Sequence, residues 1–172
     1  MLLRLRGGAL VVQVGDAVFG EGSARTLAYM GIPAGRIEAI FLSHFHSDHI
    51  DGLRCYPDVA SLPEVPDLAL VAVAARRVPE ALRQLAAKGT RLAIVISSGF
   101  AEAGGEGHAA QQEIADIART SGLRVIGPNC QGMMNVADGV FAGFGSVFFT
   151  DYEPGVVSMV SQSGGFGFSV MN

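Results

Sequence analysis

The sequence predicts an α/β protein in which helices pack on a parallel sheet. Short apolar runs that end at turn residues alternate with segments whose apolar residues recur at the helical period. Strand, helix and strand at this spacing indicate right-handed βαβ units, which require a parallel sheet. A hydrophobic content of 49%, with only 16% charged residues, supplies enough apolar surface for a packed core in 172 residues.

The predicted strands are short and apolar, and they cover residues 9–14, 39–43, 68–73, 92–96 and 124–126. A helix at 24–30, capped by Ser23 and ended by Gly31, connects the first two strands. We expect this N-terminal βαβ unit to pair with the strand at 68–73, so that one sheet forms. Residues 54–66 contain Pro and are expected to be irregular.

Two amphipathic helices are predicted between the later strands. The first has Pro79 in its first turn and ends at Gly89, and the second ends at Gly122. Their apolar faces consist of Val78, Ala81, Leu82 and Leu85, and of Ala110, Ile114, Ile117 and Ala118. Each helix therefore has one face suited to packing on a sheet.

The C-terminal part has a different pattern. Residues 139–152 are rich in Gly and Phe and lack a helical period, which predicts a loop or short hairpin. Residues 156–160 form an apolar run that predicts a strand. A helix is expected to begin in the turn at 161–165, which follows that strand.

Composition excludes several classes of function. A net charge of −4 gives no electrostatic footprint for nucleic acid. Two cysteines are too few for a disulfide framework, which indicates a reducing compartment. We see no signal peptide and no apolar stretch long enough to span a bilayer, so a cytoplasmic location without membrane association is expected.

Four potential metal ligands lie within six positions of the chain. They are His44, His46, Asp48 and His49. Neutral imidazole nitrogen and carboxylate oxygen are ligands that zinc (Zn²⁺) prefers, and alternate positions on an extended turn aim the first two rings the same way. The sequence therefore predicts a metal-binding loop at the carboxyl end of the strand at 39–43.

Residues 42–52 resemble the metal-binding loop of the metallo-β-lactamase superfamily, and the resemblance extends over residues 1–52. It implies a two-metal hydrolase in which His44 and His46 hold one ion while Asp48 and His49 hold the other. A metal-bound hydroxide would attack the substrate. The superfamily takes its remaining ligands from later strands, whereas here only His108 follows.

Four further motifs lie beyond residue 52, in the segments 70–75 (LVAVAA), 96–102 (ISSGFAE), 127–132 (GPNCQG) and 160–165 (VSQSGG). The first three each follow a predicted strand and so line the carboxyl edge of the sheet, where nucleotide-like ligands bind. Gly99 and Gly127 leave room for close approach, and their backbone N–H groups are expected to donate to ligand oxygens. Residues 53–172 resemble the CoA-binding domain of NDP-forming acyl-CoA synthetases, relatives of the succinyl-CoA synthetase α-subunit.

That resemblance implies a Rossmann-like fold and a set of CoA-binding residues. Val73 and Ala74 would contact the adenine end of CoA, although the family usually has Pro where Ala74 stands. Ser97, Ser98 and Gly99 would bind the pantetheine region. Asn129 and Cys130, beside Pro128, would bind the thiol end.

The turn containing Ser161, Ser163 and Gly164 is predicted to join a strand to a helix N-terminus, where the dipole and unpaired N–H groups favour an anion. By resemblance, this turn holds the phosphate carried by a phosphohistidine. The acceptor His of the family lies well beyond position 172, so no catalytic residue is assigned here.

The sequence predicts a metallo-β-lactamase-like fragment (1–52) that contributes the N-terminal βαβ unit, a CoA-binding domain (53–152) and the beginning of a flavodoxin-type domain (153–172). Three functions stay open. The first is the CoA-binding module of an acid–thiol ligase, which binds CoA or acyl-CoA and requires an ATP-grasp partner domain or subunit. The second is a metal-dependent hydrolase, and the third is an inactive chimeric or truncated product.

Overall fold

A parallel sheet of six strands lies at the centre of the part of the chain that the computed structural model describes, namely residues 10–14, 39–42, 55–56, 58–143, 146–150 and 152–171. The strands are β1 (Leu10–Val14), β2 (Ala39–Leu42), β3 (Cys55–Tyr56), β4 (Leu68–Ala72), β5 (Leu92–Val95) and β6 (Arg124–Ile126). They lie in the order β3-β2-β1-β4-β5-β6, and all neighbours are parallel. The predicted α/β class and parallel sheet are confirmed.

The N-terminal strands join the sheet where the sequence predicts. β1 pairs with β4 from Leu10 opposite Leu68 to Val14 opposite Ala72, and β2 pairs with the other side of β1. Strand order therefore reverses between β1 and β4, the arrangement that opens a crevice at the carboxyl ends of α/β sheets. The predicted helix at 24–30 lies outside the described residues.

β3 differs from the irregular segment expected at 54–66. Its two residues pair with Ile40 and Phe41 of β2. A strand this short leaves no apolar alternation in the sequence, so only the neighbouring strand identifies it.

Two helices cover one face of the sheet as predicted, α1 (Val78–Lys88) and α2 (Glu106–Ser121). α1 carries Pro79 in its first turn and ends at Gly89, and α2 ends at Gly122. α2 begins one turn earlier than its apolar pattern indicates. The pattern does not mark the start of the helix, because the first turn holds polar and small residues.

The core forms where these helices meet β4 and β5. Alternate residues of the two strands point to the same face of a sheet, so one set from each strand packs on the helices. The buried cluster contains Val59, Leu62, Ala69, Val71, Val73, Val78, Ala81, Leu82, Leu85, Ala93, Val95, Phe100, Ile114, Ile117 and Leu123. Leu70 and Ile94, on the opposite face, are also buried, so the sheet is covered on both sides there.

The C-terminal part contains an antiparallel hairpin and a helix. β7 (Gly132–Asn135) pairs with β8 (Val140–Gly143), and α3 (Gly164–Met171) follows the turn at 161–163. The final helix is present as predicted. Of the segment 139–152, predicted to be a loop or short hairpin, only β8 belongs to the hairpin, whose other strand precedes that segment, and residues 146–149 form a 3₁₀ turn.

The prediction of a strand at 156–160 is wrong. These residues are not in a strand, and Val156, Val157 and Val160 are exposed. An apolar run becomes a strand only beside another strand, and none of the described residues pairs with this run. No helix in the described ranges is both long enough and apolar enough to cross a bilayer.

Candidate functional site

Three loops leave the carboxyl edge of the sheet side by side. The loop after β4 continues into a 3₁₀ turn at Ala75–Arg77, the loop after β5 into a 3₁₀ turn at Ala101–Ala103, and the loop after β6 into the turn at 127–131. Because β4, β5 and β6 are parallel neighbours, these loops lie at one edge. The first three sequence motifs are thus brought together as predicted.

Ser97 joins the three loops by hydrogen bonds. Its Oγ donates to the carbonyl oxygen of Val73 at 2.6 Å and accepts from the N–H of Val73 at 3.0 Å. Its carbonyl oxygen accepts from the N–H of Asn129 at 2.9 Å. The side chain fixes the loop after β4, and the backbone fixes the loop after β6.

The neighbouring Ser98 has a different environment. Ser98 is exposed, and its hydroxyl forms no hydrogen bond with the described part of the chain. Asn129, also exposed, has a side-chain amide that is equally free within the described residues. These two polar groups face solvent from adjacent loops and are available to a ligand.

Glu102 organises the loop after β5. Its Oε1 accepts from the N–H of Gly99 at 2.6 Å and from that of Phe100 at 3.1 Å, while Gln111 Oε1 accepts from the N–H of Ala101 at 3.2 Å. The bonds from Gly99 and Phe100 hold the pKa of the Glu102 carboxyl below its usual value. The Gly99 N–H is therefore committed to Glu102, which corrects the expectation that it donates to a ligand.

Two glycines allow the loops to approach closely. Gly99 has a φ of +101°, and a Cβ there would lie 3.3 Å from the Cβ of Ala75 in the loop after β4. Gly127 has a φ of +95°, and a Cβ there would overlap the carbonyl oxygen of Val95. A side chain at either position would strain the backbone and push the loops apart.

Cys130 is half-buried below the turn after β6. Its thiol lies 3.5 Å from the carbonyl oxygen of Val95 and 3.7 Å from that of Ile126, at hydrogen-bonding distance for sulfur. Burial raises the pKa of the Cys130 thiol. The group is therefore a neutral thiol at pH 7 rather than a nucleophilic thiolate.

The turn before α3 is held by its own serines. Ser161 Oγ donates to the carbonyl oxygen of Ser163 at 2.8 Å, and Ser163 Oγ accepts from the N–H of Phe166 at 3.3 Å. Ser163 thus caps the helix. A Cβ on Gly164 would overlap the amide oxygen of Gln131, so this turn lies against the turn after β6.

The predicted metal ligands His44, His46, Asp48 and His49 lie outside the described residues. Within the described ranges, no group of three or more His, Cys, Asp or Glu side chains is arranged to hold a metal ion. His108 lies exposed in the first turns of α2.

Three residues at this edge have structural features for which the sequence analysis assigned no role. Arg76 is exposed in the 3₁₀ turn after β4 and forms no ion pair with the described residues. In the sequence, the pair Arg76-Arg77 directly after an apolar run is the pattern that could have identified it. Glu102, three positions after Gly99, is spaced to accept from backbone N–H groups. Gln131 had no local signal, because its contact with Gly164 spans more than thirty positions.

A family model described as a CoA binding domain matches residues 22–136. The chain is 40% identical over 120 residues to acetate–CoA ligase (ADP-forming) I of Archaeoglobus fulgidus, covering 70% of this chain and 17% of the relative. It is 32% identical to the α subunit of acetate–CoA ligase (ADP-forming) II of Pyrococcus furiosus, covering 77% and 28%. The chain thus spans less than a third of these relatives.

Among solved structures, the dinucleotide-forming acetyl-coenzyme A synthetase 1 of Ca. Korarchaeum cryptofilum, in its apo form, aligns with a TM-score of 0.69 and 30% identity. The alignment covers 94% of this chain and 34% of that one. The family match takes in residues 22–52, and these comparisons give no support to a metallo-β-lactamase resemblance there. The chain belongs to the CoA binding domain family.

Proposed function

We propose that the chain binds CoA or acyl-CoA across the loops after β4, β5 and β6, as the CoA-binding part of an ADP-forming acyl-CoA synthetase. The observation that carries this proposal is the hydrogen bonding of Ser97, which ties three loops into one surface at the carboxyl edge. A family match over residues 22–136 and relatives named as acetate–CoA ligases support the choice of ligand.

The residues at this edge fit the chemistry of CoA. Ala74, which is partly exposed, offers a small apolar side chain to an adenine ring. The side chain of Val73 is buried in the core, which corrects its expected contact with the adenine and leaves it a supporting role beneath this loop. Ser98 and Asn129 offer a hydroxyl and an amide to the polar groups of the pantetheine arm. Gly99 and Pro128 complete the proposed set without adding bulk between these contacts.

Arg76 supplies the positive charge that a phosphate-bearing ligand requires. It follows Ala74 by two positions in the 3₁₀ turn, so its guanidinium extends from the loop that would hold the adenine end. Guanidinium groups bind phosphate oxygens by charge-assisted hydrogen bonds. We assign Arg76 to a phosphate of CoA.

The thiol end of CoA belongs beside Asn129 and Cys130. A neutral, half-buried Cys130 does not compete with the CoA thiol as a nucleophile. The turn of Ser161, Ser163 and Gly164 lies against the turn after β6 through Gln131, which supports its assignment as a phosphate site. Acyl transfer from an acyl phosphate to a thiol requires the phosphate site and the thiol site to be neighbours, and the contact between these two turns is consistent with that requirement.

The remaining parts of the reaction are proposed to reside elsewhere. ATP-grasp chemistry would come from a partner domain or subunit, and the Pyrococcus furiosus relative is itself named as an α subunit. Residues 153–172 would begin a second domain, which fits the exposure of their apolar side chains. No described residue favours a zinc hydrolase, so that function is not proposed.

Isothermal titration calorimetry with CoA tests the proposal on three proteins. Wild type should bind CoA, and Arg76→Ala should weaken binding about 5- to 10-fold by removing one charge-assisted hydrogen bond. Arg91→Ala is the matched control, because Arg91 is exposed immediately before β5, at the opposite edge of the sheet. Wild type without binding heat at millimolar CoA, or an equal loss in the Arg91 variant, would contradict the proposal.

A further inference from the structure

Ser97 completes the hydrogen bonding of Val73 where the sheet ends. The last ladder bond between β4 and β5 runs from the N–H of Ile96 to the carbonyl oxygen of Val71 at 2.9 Å. Beyond it, Val73 has no backbone partner on that strand and uses the Ser97 hydroxyl for both its N–H and its carbonyl. A hydroxyl suits this position because it donates and accepts at the same time.

The same hydroxyl is unsuited to direct ligand binding. Its single proton goes to the Val73 carbonyl at 2.6 Å, and one lone pair accepts from the Val73 N–H. A ligand that took that proton would leave a part-buried backbone carbonyl unpaired, which costs free energy. Ser98, one position later, is exposed, and its hydroxyl forms no hydrogen bond with the described residues.

We propose that Ser97 is a positioning residue that couples the loops after β4 and β6, whereas Ser98 makes the direct ligand contact in this motif. This inference rests on the proposed function, because the coupled loops are the ones assigned to the two ends of CoA. Ser97 acts through Val73 on the adenine end and, through its carbonyl bond to Asn129, on the thiol end. A substitution at Ser97 removes the hydroxyl bonds to Val73 but keeps the backbone bond to Asn129, so it should weaken binding of the adenine end, whereas loss of the Ser98 hydroxyl should weaken binding of the pantetheine arm.

Two fragments of CoA separate these roles. Adenosine 3′,5′-bisphosphate reports on the loop after β4, and pantetheine reports on the loops after β5 and β6. Ser97→Ala should weaken CoA about tenfold, the equivalent of one lost hydrogen bond, and should weaken the nucleotide fragment while leaving pantetheine unchanged. Ser98→Ala should weaken pantetheine and leave the nucleotide fragment unchanged. Ser97→Thr keeps the hydroxyl and should bind CoA and the nucleotide fragment with affinities close to those of wild type.

Controls distinguish positioning from general damage. Titrations are made well below the melting temperature of each variant, and Ser121→Ala, at the end of α2, controls for loss of a serine hydroxyl away from the edge. If Ser97→Ala does not fold, Ser97→Cys takes its place, because a thiol is a weak donor of similar size.

The outcomes separate the two proposals. A wild-type protein that binds neither CoA nor its fragments overturns the proposed function and this inference with it. A wild type that binds CoA, with Ser97→Ala equal to wild type or weakened for pantetheine alone, overturns the positioning role and leaves the proposed function standing. Failure of Ser97→Thr to restore affinity also contradicts a role carried by the hydroxyl.

Discussion

Apolar side chains have opposite environments in residues 58–143 and in residues 155–171. In the first region, the valines of β4 and β5 are buried between the sheet and its helices, and Val71 is 0% exposed. In the second, Val156 and Val160 are fully exposed, and Phe166 and Val170 are exposed by more than half. The apolar content of the two regions is similar, so composition does not explain the difference.

The difference lies in the presence of partners. β4 has β1 and β5 on its two sides and α1 over one face, whereas residues 156–160 pair with no described strand. A strand is stabilised by its neighbours, and an unpaired apolar segment gains little from its own sequence. The strands of the first region therefore have the partners that bury their apolar side chains, whereas the apolar side chains at 156–160 have no such partner among the described residues.

We expect the largest effect on the free energy of unfolding when the same substitution, Val to Ala, is made at a buried position, and we compare it with an exposed position. Val71→Ala removes two buried methyl groups and should lower the free energy of unfolding by about 2 kcal/mol. Val160→Ala should change it by less than about 0.5 kcal/mol, because the side chain is exposed. Urea denaturation followed by circular dichroism measures both. Equal losses at the two positions would show that residues 156–160 are packed as tightly as β4.

A smaller effect is expected at Thr90, a buried polar residue just after α1. Thr90 is 4% exposed, and its Oγ1 has no hydrogen-bond partner among the described residues. Thr90→Val keeps the shape and removes the unpaired hydroxyl, so the unfolding free energy should rise by about 1 kcal/mol.

Thr150→Val is the matched control for that change, because Thr150 is exposed and its hydroxyl already contacts solvent. The control should leave the melting temperature unchanged, as measured by differential scanning calorimetry. A destabilised Thr90→Val would mean that the hydroxyl is satisfied in solution and that this part of the core is hydrated.

The sequence correctly predicts the strands and helices that depend on short stretches of neighbouring residues. β4, β5 and β6 follow from apolar runs, and α1 and α2 end at glycines that the sequence marks. Pairing of β1 with β4 was also predictable, because a parallel sheet leaves few places for an N-terminal βαβ unit.

What could not be predicted depends on contacts between distant positions. The strand expected at 156–160 fails because it has no partner, and the two-residue β3 exists only because β2 lies beside it. Ser97 and Val73 are 24 positions apart, so the pattern alone could not assign the Ser97 hydroxyl to a backbone partner. The sequence placed Ser97 in the candidate site, and the structure distinguishes its environment from that of Ser98.

Hydrogen–deuterium exchange with and without CoA is the most direct test of the claim that the carboxyl edge of the parallel sheet binds the ligand. CoA should slow amide exchange at residues 73–77, 97–102 and 127–131, the loops after β4, β5 and β6. Exchange should stay unchanged at 89–91 and 122–124, at the opposite edge of the sheet, and in the exposed segment 156–160. Protection at the opposite edge, or in 156–160 without protection of the three loops, would contradict the account.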